Sequence, residues 1–144
     1  MRGTNGDDDL YGNSRNNTIF GLGGWDLLVG YGGNDLLDGG SGDDLLKGGS
    51  GSDSLWGGRG KDLLVGGGGP DDFWFDTRHR FDVINDFEAR DSIVIDVLDG
   101  GFEGVRRSDL FIDRGSKFDR LYVDGDLVAK VYGDVLLYSD IYLV

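Results

Sequence analysis

Three consecutive segments decide the fold: Gly39–Lys47 reads GGSGDDLLK, Gly48–Trp56 reads GGSGSDSLW and Gly57–Val65 reads GGRGKDLLV. Extending this nine-residue frame both ways fills residues 3 to 74 with eight rows. GTNGDDDLY, GNSRNNTIF, GLGGWDLLV and GYGGNDLLD come before, and GGGGPDDFW comes after. Position 1 is Gly in all eight rows, and position 4 is Gly in every row but the second, which carries Arg15. Position 6 is Asp8, Asn17, Asp26, Asp35, Asp44, Asp53, Asp62 and Asp71; position 8 is Leu10, Ile19, Leu28, Leu37, Leu46, Leu55, Leu64 and Phe73. A fixed period of this kind specifies stacked, near-identical units, each buried against its neighbours.

Each column has a mechanical reading. Positions 1 to 6 form a tight turn in which glycine permits positive φ and close backbone approach. Positions 7 to 9 form a three-residue strand, and because strand side chains alternate faces, the large apolar residue at position 8 points inward. Two rows make one coil of eighteen residues, with a short strand on each side and a turn at each end. Four such coils stack at about 4.8 Å each. Turns two rows apart then lie above one another, and their Asp side chains meet peptide carbonyls in a cage of about six oxygens. The fold class is all-β: a parallel β-roll, or two-sheet β-helix of nonapeptide repeats, followed by a C-terminal β-strand cap.

Composition supports this reading. The 144 residues give room for one domain of ordinary size. Acids number 27 against 14 bases, for a net charge of −13, and all but two of those acids are Asp. Asp is the shorter carboxylate and suits turns and tight oxygen cages. So negative a chain is repelled by phosphate backbones and anionic membranes, which excludes nucleic acid as a partner. No run reaches the length of a membrane span, and Met1 to Leu10 lacks the apolar core of a signal peptide. Without cysteine there are no disulfides or thiolate sites, so any metal is held by oxygen.

The pattern G-G-x-G-x-D-x-U-x over residues 3 to 74 resembles the RTX, or repeats-in-toxin, family, whose repeats form calcium-binding parallel β-helices. The resemblance implies that position 6 carboxylates bridge successive calcium ions while turn carbonyls complete the shell. It implies ladders of Asp8, Asp26, Asp44 and Asp62 on one edge and Asn17, Asp35, Asp53 and Asp71 on the other. The carbonyls implied are those of Gly21, Gly23, Gly30, Gly32, Gly39, Ser41, Gly48 and Ser50. Each ladder of four has three gaps, so up to about six Ca2+ ions are expected. The second row departs from the pattern at Arg15 and Asn17, which weakens the gap above it. A roll with no ion is the alternative, but one apolar side chain per row offsets little of the backbone entropy, and stacked carboxylates repel.

After Trp74 the glycine content falls to six in seventy residues, and strand-like runs replace the repeat. Residues 72 to 75, 82 to 87 and 91 to 95 resemble the segment that follows the last repeats in many RTX proteins. Further strands are expected at Leu110 to Asp113, Leu121 to Val123, Leu127 to Tyr132 and Val135 to Tyr138, with Asp124-Gly125 as a hairpin turn. The organisation is therefore a repeat roll over 3–74 and a cap over 75–144. Asp82, Asp86 and Asp91 either hold another ion or cap turns. The end of the cap, Asp140-Ile141-Tyr142-Leu143-Val144, resembles the uncleaved export signal of RTX proteases and lipases that leave by type I secretion. That implies the type I machinery as a partner and an extracellular location.

The remaining residues offer less. His79, flanked by Arg78 and Arg80, reads as a loop histidine, and no catalytic set accompanies it, so the chain is not read as an enzyme. The position 9 aromatics Phe20, Trp56 and Trp74, with Asp38 between them, either form a glycan platform or pack against the cap. Leu27, Leu45 and Leu63 leave an apolar stripe outside the other sheet, to be covered by the C-terminal strands or by a second copy through self-association. The function expected is a calcium-binding module that folds on calcium after export. The alternative is a carbohydrate-binding or adhesion module of a larger secreted enzyme or toxin of alginate epimerase, protease or lipase type, with polysaccharide as a partner.

Overall fold

The strands are longer than the side-chain pattern suggests, because glycines at positions 1 to 3 pair across coils as well as turning the chain. The computed structural model of the chain describes residues 1–75, 82–95, 110–114, 118–123, 126–133 and 138–144. Eight strands are built from the repeats: β1 (Asp9–Asn13), β2 (Thr18–Gly23), β3 (Leu27–Gly32), β4 (Leu36–Ser41), β5 (Leu45–Ser50), β6 (Ser54–Arg59), β7 (Leu63–Gly68) and β8 (Asp72–Phe75). The six-residue members run from position 7 of one row to position 3 of the next, which corrects the three-residue strand and six-residue turn expected from the sequence. Only positions 4 to 6 remain as the turn.

Six further strands follow: β9 (Asp82–Phe87), β10 (Ser92–Ile95), β11 (Leu110–Arg114), β12 (Asp119–Val123), β13 (Asp126–Gly133) and β14 (Ile141–Leu143), the last preceded by a short 3-10 turn at Tyr138–Asp140. Odd and even rows separate into two sheets. One has the order β1-β3-β5-β7-β9-β13-β12-β11, the other β14-β10-β8-β6-β4-β2. Among the described residues every strand pairing is parallel except β11 with β12 and β12 with β13. The all-β, parallel-roll architecture is therefore as the repeat requires. Among the described residues no helix is long and apolar enough to cross a membrane.

Position 8 supplies the core. Ile19, Leu28, Leu37, Leu46, Leu55, Leu64 and Phe73 are fully buried, and Leu10 in the lowest row packs against them half-buried. The column continues past the repeats through Ile84 and Ile93, because β9 pairs with β7 and β10 with β8. The glycine-rich spacing ends at Trp74, but the stacking does not.

Among the described residues, the C-terminal strands do not lie over the apolar stripe. β13, β12 and β11 extend the end of the first sheet edgewise, which leaves Leu63 exposed and Leu27 and Leu45 half-buried. An added strand satisfies backbone hydrogen bonds along an open edge, a stronger demand than shielding three leucines. Of the other expectations, β11, β12 and β13 fall on the predicted strands, while His79, Asp124-Gly125 and residues 135–137 lie outside the described residues.

The turn fixes glycine most tightly at position 4. Gly42 has φ +133°, and a Cβ there would run into the carbonyl of Gly24 one coil below. Gly42→Ala is expected to lower the stability of the folded roll by about 2 kcal/mol or more, since left-handed strain alone costs of order 1–3 kcal/mol. At exposed Gly68 an added Cβ meets nothing within 4 Å, so Gly68→Ala should stay within about 0.5 kcal/mol. Thermal melting of both variants in calcium checks the contrast.

Candidate metal centre

Position 6 sits where the chain leaves the turn for the strand, so residues one coil apart bring their side chains and peptides together at the roll edge. The peptide of each rung bonds in both directions. Its carbonyl accepts the position 7 N–H of the coil above, as in Leu45 N–H to Asp26 O (2.9 Å) and Leu63 N–H to Asp44 O (2.9 Å). Its N–H donates to the carboxylate of the next rung: Asp8 to Asp26 Oδ1 (2.8 Å), Asp26 to Asp44 Oδ1 (2.8 Å) and Asp44 to Asp62 Oδ1 (2.8 Å). On the opposite edge Asn17 donates to Asp35 Oδ1 (2.6 Å), Asp35 to Asp53 Oδ1 (2.8 Å) and Asp53 to Asp71 Oδ1 (2.9 Å). Both ladders expected from the sequence are thus brought together.

Each ladder gains a fifth rung. The N–H of Asp62 donates to Asp82 Oδ1 (2.9 Å), and that of Asp71 donates to Asp91 Oδ1 (3.0 Å). Asp62 and Asp71 are therefore inner rungs. The sequence carries a signal for this: Asp82-x-Ile84 and Asp91-x-Ile93 repeat the position 6 to 8 pattern nine residues apart, displaced by a two-residue insertion.

The second carboxylate oxygen identifies the site. Oδ2 of Asp26, Asp35, Asp44, Asp53, Asp62 and Asp71 is buried without a hydrogen-bond partner. Six isolated orphans on buried acids would each carry a large desolvation cost unless a cation faced them or a proton neutralised them. The end rungs differ. Asp8 Oδ2 accepts from the Thr4 backbone N–H (2.6 Å) and hydroxyl (2.9 Å), and Asn17 Oδ1 accepts from Asn13 N–H (2.7 Å). At the top, Asp91 Oδ2 accepts from Glu88 N–H (2.8 Å), while Asp86 accepts from the N–H groups of Gly66 (3.0 Å) and Gly67 (2.9 Å). Asp86 and Asp91 thus cap turns.

Position 1 supplies the cradle. A Cβ on Gly21 would overlap Asp26 Oδ2 and lie 2.5 Å from the carbonyl oxygen of Gly39. The same crowding recurs at Gly30 with Asp35 Oδ2 and the Gly48 carbonyl (2.6 Å), and at Gly39 with Asp44 Oδ2 and the Gly57 carbonyl (2.6 Å). At Gly48 it involves Asp53 Oδ2 and the Gly66 carbonyl (2.7 Å), so the carbonyls of Gly57 and Gly66, absent from the expected set, stand beside the rungs as those of Gly39 and Gly48 do and could serve a cation there. Position 3 pairs across coils. Gly23 and Gly32 lie in register one coil below Ser41 and Ser50, and the Ser41 carbonyl accepts the Gly24 N–H at 2.9 Å. Among the described residues no three His, Cys, Asp or Glu side chains converge on one point. A cation at either edge would therefore draw on carboxylates of neighbouring rungs and complete its shell from peptide carbonyls. Anionic and neutral oxygens without nitrogen or sulfur are the donor set of a hard divalent ion such as Ca2+.

Burial shifts these acids in one direction. It pushes the Asp44 carboxyl up to about 7 against the opposing hydrogen bond from Asp26 N–H, with further repulsion from Asp62, Asp26 and Asp43. Burial likewise pushes Asp71 up to about 7 and Asp91 to about 6, and raises Asp26, Asp35, Asp53 and Asp62 above the usual carboxylate range.

Comparison with known proteins follows this geometry. The family model of the RTX calcium-binding nonapeptide repeat, in four copies, matches residues 2–37 and again 38–73. The solution structure of the R3 subunit of a mannuronan C5-epimerase from Azotobacter vinelandii is 31% identical, with a TM-score of 0.51, covering 96% of this chain and 79% of that one. An extracellular lipase from Serratia marcescens is 15% identical, with a TM-score of 0.49, over 99% of this chain. The chain spans 39% of that lipase's length. No curated protein sequence matches the chain.

The raised carboxyls set the pH response of the metal-free roll. A folded form that holds protons which the unfolded chain has already released gains stability that is full below the ordinary carboxylate value and lost as pH rises through the folded one. In chelator, circular dichroism should therefore show more folded roll at about pH 5 than at about pH 8. With calcium the order reverses, because deprotonated rungs bind the ion better.

Proposed function

The chain belongs to the family of RTX calcium-binding nonapeptide repeats, and from that premise we propose that it folds on calcium after export from the cell. It is a calcium-binding β-roll module. In this reading residues 3–74 bind the ions and residues 75–144 cap the roll. Asp26, Asp35, Asp44, Asp53, Asp62 and Asp71 hold up to six ions together with the turn carbonyls, and Asp8 and Asn17 close the foot. The observation that carries the reading is the set of six orphaned Oδ2 atoms, equal in number to the gaps between the expected rungs. Bound calcium supplies the positive charge that offsets rung-to-rung repulsion. Without it, the ladders and a net charge of −13 oppose closure of the coils.

The tail supports a double role. Ile141 is fully buried, β14 pairs with β10, and Val144 N–H bonds to Ile95 O at 3.0 Å. A segment packed this way when folded is available to the type I machinery while the chain is still unfolded. The module reading within a larger secreted enzyme draws support from the similarity to one subunit of an epimerase that acts on mannuronan.

Circular dichroism during a calcium titration, in excess magnesium, tests the main reading. Cooperative folding is expected as calcium approaches about 10⁻⁴ to 10⁻³ M, the range of extracellular modules, and a fully folded chain in chelator would sink it. Asp44→Ala and Asp53→Ala should each raise the calcium midpoint more than Asn17→Ala, because an inner rung serves two gaps; equal shifts would contradict the ladder. Deleting residues 140–144 should block release from a type I secreting host while the purified chain still binds calcium. Normal release would eliminate the export role.

A further inference from the structure

The outer face of the six-stranded sheet carries a column that calcium binding does not use. Phe20, Asp38, Trp56 and Trp74 occupy position 9 of successive even rows and are paired in register across β2, β4, β6 and β8. Trp56 and Trp74 are stacked, with ring centroids 6.5 Å apart and an interplanar angle of 20°. Together with Leu36 and Ser54 from position 7, these residues line an open groove of about 340 Å³, within the range of small-ligand sites. None of the four position 9 side chains is fully buried, and Leu36 is 44% exposed.

Three properties define what fits there. Aromatic side chains recur along one column: Phe20 and Trp56 stand two coils apart, about 9.6 Å, close to the advance of one disaccharide in an extended glycan. Between them a carboxylate and the Ser54 hydroxyl stand among apolar walls, and burial holds the Asp38 carboxyl above its ordinary range. A sugar ring matches both features, because its C–H face rests on an indole while rim hydroxyls reach the polar groups. Charge narrows the class. An anionic polysaccharide would meet Asp38 at the groove centre on a chain of net charge −13. A second copy docked about a two-fold axis through the groove would set Asp38 against its own counterpart.

We propose that the Phe20, Asp38, Trp56, Trp74 groove binds an uncharged glycan chain, with the sugar faces on the aromatic rings and their hydroxyls on Asp38 and Ser54. The full chain in saturating calcium, titrated with cellohexaose, xylohexaose, mannohexaose and N-acetylchitohexaose, tests this by tryptophan fluorescence and calorimetry. An oligoalginate serves as the anionic probe. At least one uncharged hexasaccharide should bind saturably, and Trp56→Ala should weaken it at least tenfold while circular dichroism shows the calcium-loaded roll intact. Asp38→Asn, which keeps the shape and removes the charge, should also weaken binding. Trp25→Phe should not, because Trp25 lies on a turn away from the groove and is 70% exposed. No binding by any uncharged probe to a folded roll would overturn the proposal. So would binding that Trp56→Ala leaves unchanged, preference for oligoalginate, or a dimer that Trp56→Ala converts to monomer.

Discussion

One hydrogen bond, from the backbone N–H of each ladder residue to the carboxylate of the rung above, ties the stacking of this molecule to its appetite for cations. It fixes the spacing of turns, since Asp26, Asp44 and Asp62 are each held to the next coil by that bond as well as by strand pairing. It also engages one oxygen of each inner-rung carboxylate, whose other oxygen is buried without a partner. A side chain that only capped a turn would place both oxygens on N–H groups, as Asp86 does with Gly66 and Gly67. The inner rungs do not, so the coil stack is complete as a backbone structure and incomplete as an electrostatic one.

The core cannot make up that deficit. Position 8 gives one fully buried side chain per row from Ile19 to Phe73, two facing files from the two sheets, where a globular domain of this size would build a broader three-dimensional cluster. Two rows of eighteen residues thus bury two apolar side chains while ordering a glycine-rich backbone, whose entropy cost per residue is the highest of any composition. Neutralising the rungs removes a repulsion that grows with every coil added. A thin core and a ladder of buried carboxylates are therefore two sides of one design: little apolar burial stands against the mutual repulsion of the rungs.

Much of this was legible because a repeat writes the same physics many times. The columns at positions 1, 4, 6 and 8 gave the roll, the inward file and both ladders, since each follows from side-chain type at fixed spacing. Strand length was not legible. Gly39, Gly40 and Ser41 have no strand-like side chains, and what draws them into β4 is pairing of their backbone with rows above and below. The fifth rungs escaped for another reason: the two-residue insertion before Asp82 breaks the count without breaking the stack. The place of β11 to β13 turned on a choice between covering leucines and satisfying an open edge, a choice that sequence alone leaves undetermined.

A periodic stack must still be ended, and this one is ended twice with the same device. At the foot, the spare oxygens of Asp8 and Asn17 are taken by backbone N–H groups four residues earlier in their own rows, those of Thr4 and Asn13. At the head, Asp91 finds the N–H of Glu88 within its own turn. Both solutions use a local donor where an inner rung has none, while the inner turns give their position 5 N–H to the coil below, Trp25 to Asp7 Oδ1 and Lys61 to Asp43 Oδ1. A private hydrogen bond lets an end rung face solvent or an irregular cap with its spare oxygen satisfied. Carboxylate oxygens without a donor are thereby confined to the six rungs between the two closed ends.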